Sequence, residues 1–328
     1  MANVLVGPAP LDGIDAEFRK VLVDAGHQLI FPKIGRQMVE EEILARIPGN
    51  RAVLAGSEPY NRRVLEAAKD LRVIARVGVG YDAVDVKAAT EKGIVVTITP
   101  GTNQDSVAEH TFMLILALAR QLIPQHLSIR SGGWPRNANR PLRTQTLAIA
   151  GLGRIGKAVA LRGIAFGMRV IAHEPYPDRD FVARHSIPLV SFDELLREAD
   201  YLSLHVPLSP ESRHMINTRT LEKMKPTAYL VNTSRGGLVN EPDLVAALNQ
   251  RRIAGAALDV FDQEPPGENP LLLLDNVVLT AHTAGVDFKS RDDMALCAAE
   301  AVVDLLAGKW PAEKIVNPEV REKFEASR

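Results

Sequence analysis

The chain has 328 residues, 46% of them hydrophobic, enough to bury a sizeable core and long enough for two domains of ordinary size. Its 39 Lys and Arg against 40 Asp and Glu leave a net charge of -1, with no basic run of the kind that tracks nucleic acid. The one cysteine, Cys297, excludes an internal disulfide and reads as a residue of a core helix, which fits a reducing compartment and a cytoplasmic location. The apolar start, Met1 to Gly7, is too short for a signal peptide, and the longest apolar stretch, Phe112 to Ala119, is far below membrane-spanning length.

Short β-branched runs alternate with helical patterns from the start. Val4–Val6 precedes a helix over 16–25, Ala52–Ala55 one over 62–68, Val73–Arg76 one over 85–92, and Val95–Ile98 closes the series. Such alternation predicts a parallel sheet covered on both faces. After Pro100-Gly101 a long apolar helix is expected from Ser106 to about Leu122. The loop-forming stretch Ser131–Pro141 is then expected to separate two structural units. A second series follows, with strands at Thr146–Ala150, Arg169–Ala172, Tyr201–His205, Tyr229–Asn232, Gly255–Asp259 and Val277–Thr280, a count and spacing that fit a doubly wound nucleotide-binding sheet. A last helix, Arg291 to about Leu306, is long enough to return to the first unit and make that domain discontinuous.

Gly151-Leu-Gly-Arg-Ile-Gly156 directly follows a strand and opens a helix. In that context Gly151 makes the tight turn, Gly153 lets backbone approach a pyrophosphate, and Gly156 permits close helix packing, with Arg154 and Ile155 in the first helical turn. Glu174 ends the next strand at the spacing of an acid that accepts both ribose hydroxyls and repels a 2'-phosphate, so the reading is a dinucleotide site that favours NAD over NADP.

Three further residues fall just past strand ends of the same series: Arg235 in Asn232-Thr-Ser-Arg-Gly-Gly-Leu-Val239, Glu264 in Asp259-Val-Phe-Asp-Gln-Glu-Pro265, and His282 in Leu279-Thr-Ala-His-Thr-Ala-Gly285. A guanidinium, a carboxylate and an imidazole supply what reduction of a 2-oxo acid needs. His282 gives a proton to the carbonyl oxygen, Glu264 orients the ring and favours its charged form, and Arg235 polarises the carbonyl and anchors the carboxylate. The other histidines lack ligand spacing, and Glu109-His110 lacks the second histidine of a zinc-protease helix, so no metal is expected.

Taken in order, Arg76-Val-Gly-Val-Gly-Tyr-Asp-Ala-Val-Asp85, Val107-Ala-Glu-His110, the glycine loop, His205-Val-Pro-Leu208, Asn232–Gly237, Asp259-Val-Phe261 with Glu264-Pro265, and His282-Thr-Ala-Gly285 closely resemble the D-isomer-specific 2-hydroxyacid dehydrogenases over essentially the whole chain. The resemblance implies an α/β fold of two doubly wound parallel-sheet domains: a flavodoxin-like substrate domain, residues 1–101 plus 286–328, and a Rossmann NAD-binding domain, residues 102–285, with a cleft between them. It implies that Arg235, Glu264 and His282 are the catalytic set, that Val79 and Gly80 hold the substrate carboxylate through backbone amides, and that Arg76 also faces substrate. Asp259 would contact the nicotinamide carboxamide, and His205, Pro207, Thr233 and Gly285 would line the cofactor. A homodimer joined through the nucleotide domains is the family's usual assembly.

Within the family the chain looks most like phosphoglycerate dehydrogenases and hydroxypyruvate or glyoxylate reductases, through Ser57-Glu-Pro-Tyr60 and Ile315-Val-Asn-Pro-Glu-Val320. It departs at Ala55-Gly56, where phosphoglycerate-using relatives often carry a phosphate-binding arginine. The chain stops shortly after Val320, so the regulatory domain that many phosphoglycerate dehydrogenases append is not expected. The leading expectation is an NAD-dependent dehydrogenase of a small acid such as 3-phosphoglycerate, hydroxypyruvate or glyoxylate, with no nucleic-acid or membrane partner. The alternative is an NAD(H)-sensing, corepressor-like binding protein of the same fold.

Overall fold

The computed structural model describes residues 1–326. It divides into two compact units, Met1–Asn103 with Val286–Arg328, and Gln104–Gly285.

In the first unit, strands β1 (Asn3–Val6), β2 (Gln28–Ile30), β3 (Ala52–Ala55), β4 (Val73–Arg76) and β5 (Val95–Thr97) form a wholly parallel sheet of order β2-β1-β3-β4-β5. This is the flavodoxin-like order, with its topological switch between β1 and β3. β3 and β4 are buried throughout, which is why they read as continuous apolar runs and not as alternating ones. Helices α1 (Glu17–Asp24), α2 (Glu40–Arg46), α3 (Arg62–Ala67) and α4 (Val86–Glu91) follow successive strands. α2, α3 and α4 cover one face with Ile43, Val64, Leu65 and Ala89, and α1 covers the other with Phe18 and Leu22.

β2 and α2 were not legible in advance. β2 is a three-residue edge strand paired only with β1 and partly exposed, so no apolar pattern marks it.

The second unit opens with α5 (Gln104–Ala119) and α6 (Leu122–Arg130), which are bent 60° apart at a break where Gln121 takes a left-handed φ of 51°. The expected division at Ser131–Pro141 is therefore corrected. α5 packs on strands and a helix that come after that stretch, because its buried face of Leu114, Ile115 and Leu118 joins their core.

The remaining elements are β6 (Thr146–Ala150), α7 (Arg154–Ala165), β7 (Arg169–His173), α8 (Arg179–Arg184), α9 (Phe192–Glu198), β8 (Tyr201–Leu204), α10 (Thr218–Leu221), β9 (Tyr229–Asn232), α11 (Glu241–Asn249), β10 (Gly255–Leu258) and β11 (Val277–Leu279). Their parallel sheet has the order β11-β10-β9-β8-β6-β7, and a single parallel bridge from Ala172 to Leu189 extends it beyond β7. The chain thus winds outward in both directions from β6, the Rossmann arrangement, and the switch point lies between β6 and β8.

After Gly285 the chain returns to the first unit as α12 (Phe288–Ala307), packed on α1, β3 and β4, and finishes with α13 (Arg321–Ala326). α12 begins three residues earlier than expected because Asp287 caps it, its carboxylate accepting from Ser290 N at 2.7 Å. Gly308, at φ 93°, ends it. Cys297 lies on this helix, partly buried. Among the described residues no single helix is long and apolar enough to cross a membrane.

One buried side chain ties the C-terminal segment to β5. Asn317, 1% exposed, accepts from Val96 N at 2.9 Å and donates to Ile94 O at 3.0 Å and Thr90 Oγ1 at 2.8 Å. Asn317→Ala leaves these groups without partners in a dry site and is expected to destabilise the first unit by about 2–3 kcal/mol. Urea denaturation checks this, and an unchanged midpoint would show that water replaces the amide.

Candidate active site

Two sets of glycines bring backbone close to backbone in the second unit. Gly151, at φ 90°, turns the chain out of β6, and a Cβ there would lie 2.5 Å from the carbonyl oxygen of His205. A Cβ on Gly156 would lie 2.1 Å from Gly151 O, so α7 can start against the turn only with glycine at that position. Gly153, by contrast, faces open space and caps α7 with no side chain, which leaves the amides of the first turn turned outward. Glu174 stands beside them, its carboxylate accepting from Leu152 N at 2.8 Å and Tyr176 N at 2.9 Å. An outward helix N-terminus, a glycine open to approach and a carboxylate at the end of β7 fit a dinucleotide.

The second set positions the reactive side chains. A Cβ on Gly236 would lie 1.9 Å from the carbonyl carbon of Phe261, so the loop after β9 is seated directly on the peptide after β10. Buried Asn232 organises the first of these loops, donating to Arg235 O at 2.8 Å and accepting from Ser234 N at 3.0 Å. The Arg235 guanidinium donates to Ser234 O at 2.6 Å.

On the neighbouring loop Glu264 accepts from Phe261 N at 3.0 Å through Oε1. Its Oε2 lies 2.7 Å from His282 Nδ1. With Nδ1 held by the carboxylate, Nε2 of the half-exposed His282 ring is the nitrogen left to meet a ligand. His282 has a left-handed backbone, φ 52°, a conformation that costs a non-glycine residue energy. His282 N donates to Asp259 O at 2.7 Å.

Asp259 meets the same loop again through its carboxylate, which is fully buried and accepts from Thr280 Oγ1 at 2.5 Å, Thr283 N at 3.0 Å and Ala284 N at 2.9 Å. Burial alone would push its pKa up. The hydrogen bonds from His110, Thr280 and the two amides outweigh that and hold it below the ordinary carboxylate range.

Behind this loop lies a layer that the sequence reading missed. Thr280 gives its proton to Asp259, so it accepts from His110, whose Nε2 is 2.9 Å away. One turn earlier on α5, Ser106 donates to Ala284 O at 2.9 Å. Ser106 and His110 are four residues apart on one helical face, the spacing that could have suggested a shared target.

Three of the expected ligand contacts have side chains that turn inward. The Asp259 carboxylate points into the protein and anchors the 280–284 loop. The Thr233 hydroxyl lies 3.0 Å from that of Thr111 on α5, which leaves its backbone for a cofactor. In the first unit Arg76 is only 7% exposed and donates to Ala55 O and Gly80 O, each at 2.8 Å, so it braces the strand ends.

Val79 and Gly80 lie just past the carboxyl end of β4. No acceptor among the described residues meets their amides. His205, beside Gly151, sets its Nε2 2.8 Å from Ser203 Oγ. Pro207 is exposed, Gly285 closes the second unit, and among the described residues no group of three metal-ligating side chains is assembled.

A dinucleotide loop, an imidazole paired with a carboxylate and a nearby guanidinium, all at the carboxyl edge of one Rossmann sheet, define a nicotinamide-dependent oxidoreductase. Residues 112–284 match the family model for the NAD binding domain of D-isomer specific 2-hydroxyacid dehydrogenases. The chain is 43% identical to a glyoxylate reductase of Korarchaeum cryptofilum over 80% of this chain and 81% of that one. It is 38% identical to a D-3-phosphoglycerate dehydrogenase of Methanocaldococcus jannaschii over 97% of this chain, yet spans only 60% of that relative's length. A D-lactate dehydrogenase from Aquifex aeolicus, solved with NAD and lactic acid, superposes with a TM-score of 0.86 at 27% identity, covering 96% and 98% of the two chains. The chain belongs to the D-isomer specific 2-hydroxyacid dehydrogenase family. These relatives are all named as oxidoreductases, which favours an enzyme over a dinucleotide-sensing protein.

Burial lowers the pKa of His205 from 6.5 to about 3, so the folded protein holds it neutral. The unfolded chain takes up a proton near pH 6.5 and the folded one does not. Stability from this residue is therefore complete above that pH and falls away as the pH drops toward 3. Between about pH 7 and about pH 5 the melting temperature of His205→Gln is expected to fall less than that of the parent. Parallel falls would mean that His205 protonates freely in the fold.

Proposed function

We propose that the protein interconverts a small 2-oxo acid and its D-2-hydroxy acid with NAD(H), in the class of glyoxylate, hydroxypyruvate and 3-phosphoglycerate chemistry. The observation that carries this reading is the 2.7 Å contact between His282 Nδ1 and Glu264, which leaves Nε2 for a carbonyl oxygen. Bound at the glycine loop, the nicotinamide supplies or accepts the hydride.

The protein's own residues manage the proton and the charge. In the reducing direction His282, protonated, donates from Nε2 to the carbonyl oxygen, and Glu264 stabilises the imidazolium before the transfer and keeps the ring aimed after it. Arg235 polarises the carbonyl and pairs with the substrate carboxylate. The amides of Val79 and Gly80 are the first unit's anion donors.

For the cofactor, the amides from Arg154 to Gly156 take the pyrophosphate and Glu174 the adenosine ribose. A carboxylate held by two backbone amides beside the glycine loop would repel a 2'-phosphate, which supports NAD over NADP. Pro207 and the backbone of His205, Thr233 and Gly285 complete the cofactor contacts.

Association follows from the surface of the second unit. No residue of α6 is buried, and Leu122, Ile123, Leu127 and Ile129 are exposed along it, with Trp134 exposed in the loop beyond. Exposed apolar side chains of this kind support an interface, and a homodimer through the second unit is the simplest closed assembly that would bury them.

Oxidation of NADH, with NADPH in parallel, against glyoxylate, hydroxypyruvate, pyruvate, 2-oxoglutarate and 3-phosphohydroxypyruvate tests the activity. His282→Ala is expected to lower turnover by about 10²–10⁴-fold while NADH fluorescence titrations give an unchanged Kd. Equal loss of both would show that His282 serves the fold and not proton transfer.

A further inference from the structure

Helix α5 carries three polar side chains in a stretch that otherwise packs the core of the second unit, and the mechanism above uses none of them. Ser106 and Thr111 are buried and His110 is largely so, while Ala108, Phe112, Leu114, Ile115 and Leu118 of the same helix join the apolar core. Each of the three polar side chains reaches a loop at the carboxyl edge of the sheet. Ser106 Oγ donates to Ala284 O at 2.9 Å, and His110 Nε2 donates to Thr280 Oγ1 at 2.9 Å. Thr111 gives its own proton to Val107 O at 2.7 Å, one turn back, so it accepts from Thr233 Oγ1 at 3.0 Å.

The partners are not scattered. Thr233 stands two residues before Arg235, and Thr280 and Ala284 stand two residues before and after His282. For the fold alone, alanine at 106 and valine at 111 would pack α5 with no hydroxyl to desolvate. The polar choice gives the two reactive loops a common brace on one helix. It matters most for His282, whose left-handed backbone, φ 52°, persists only while its surroundings hold it. His110 grips the start of that loop and Ser106 its end. His110 also meets the anchor of the loop, its Nε2 lying 3.4 Å from Asp259 Oδ1. An imidazole projects well beyond its own backbone, so a small rotation of the loop moves Nε2 by a distance that counts: a misplacement of about 1 Å can cost about 10²-fold in rate.

We propose that α5 positions the reacting groups: His110 through Thr280, and Ser106 through Ala284, fix the loop that aims His282, and Thr111 through Thr233 fixes the loop that carries Arg235. The inference rests on the reading of His282 as the proton donor. Ser106, His110 and Thr111 are positioning residues, and His110 is the chief of them because it joins the loop and its anchor at one nitrogen.

The test is steady-state NADH oxidation by the full chain with glyoxylate and hydroxypyruvate, together with NADH fluorescence titration, for the parent, His110→Phe, His110→Gln, Thr280→Val and Thr280→Ser. His110→Phe and Thr280→Val, which lose the bond and keep the bulk, are expected to lower kcat by about tenfold or more with the Kd for NADH within about twofold of the parent. His110→Gln, whose amide can donate from near the place of Nε2, and Thr280→Ser, which keeps the hydroxyl, are expected to recover most of the loss. A proton donor held out of line also makes proton transfer slower, so the solvent deuterium isotope effect on kcat is expected to rise in His110→Phe. An unchanged kcat in His110→Phe overturns the inference and leaves the dehydrogenase reading intact. A loss of kcat and NADH affinity together, or a His110→Gln no better than His110→Phe, also overturns it and makes His110 a residue of the fold. No NADH oxidation by the parent with either acid overturns both readings. If His110→Phe does not fold, Thr280→Val against Thr280→Ser decides by the same comparison.

Discussion

The buried carboxylate of Asp259 is the fixed point around which the candidate active site is built. It sits at the end of β10 with no exposed surface, and its two oxygens and its carbonyl together hold Thr280, His282, Thr283 and Ala284. Those bonds offset the cost of the left-handed backbone at His282, and the strain becomes position: the imidazole is turned toward the loop that the same strand sends out to Glu264. One strand therefore supplies both the anchor of the histidine's backbone and, five residues on, the partner of its ring. An acid–base pair held at both ends is preorganised before a substrate arrives.

Close backbone approach is the second constraint, and it works alike at the two halves of the site. Gly151 and Gly156 let α7 start against the turn out of β6, and Gly236 lets the Arg235 loop rest on the peptide that leads to Glu264. At each place a single methyl group would meet main-chain atoms, which cannot move aside as a flexible side chain could. The carboxyl edge of a parallel sheet is where such loops converge, because every strand enters its connection there. Nucleotide and reactive groups share that edge for a topological reason.

The charges of the two units follow different physics. Pairs such as Lys20 with Glu17 or Arg251 with Asp275 are solvent-exposed and contribute little to stability. Glu58, Arg76 and Asp259 are buried, where removing one partner is costly and geometry is held tightly, and each lies at a strand's carboxyl end or in the turn just after it. In this protein buried charge is spent on loops, not on the core, which is packed by aliphatic side chains from both faces of each sheet.

Much of this was legible in the sequence because it depends on local pattern. Continuous apolar runs such as Val53 to Ala55 and Leu147 to Ala150, short and alternating with helical patterns, fit parallel strands buried on two faces, and the spacing from Gly151 to Glu174 encodes a turn, a helix and a return strand of set length. Arg235, Glu264 and His282 were visible because each follows such a strand. What the sequence could not assign was the direction in which polar side chains face. Asp259, Thr233 and Arg76 read as ligand contacts, and the side chains of all three turn inward, toward partners such as Ala284, Thr111 and Ala55 that come from other segments whose distance in space no local spacing records. Strand order and the seating of Gly236 on Phe261 belong to the same class. The sequence by itself determined the elements and the chemistry available at their ends; only the tertiary structure decided which of those groups are exposed to react and which are consumed in holding the others, because burial and hydrogen-bond partnership are properties of the assembled chain.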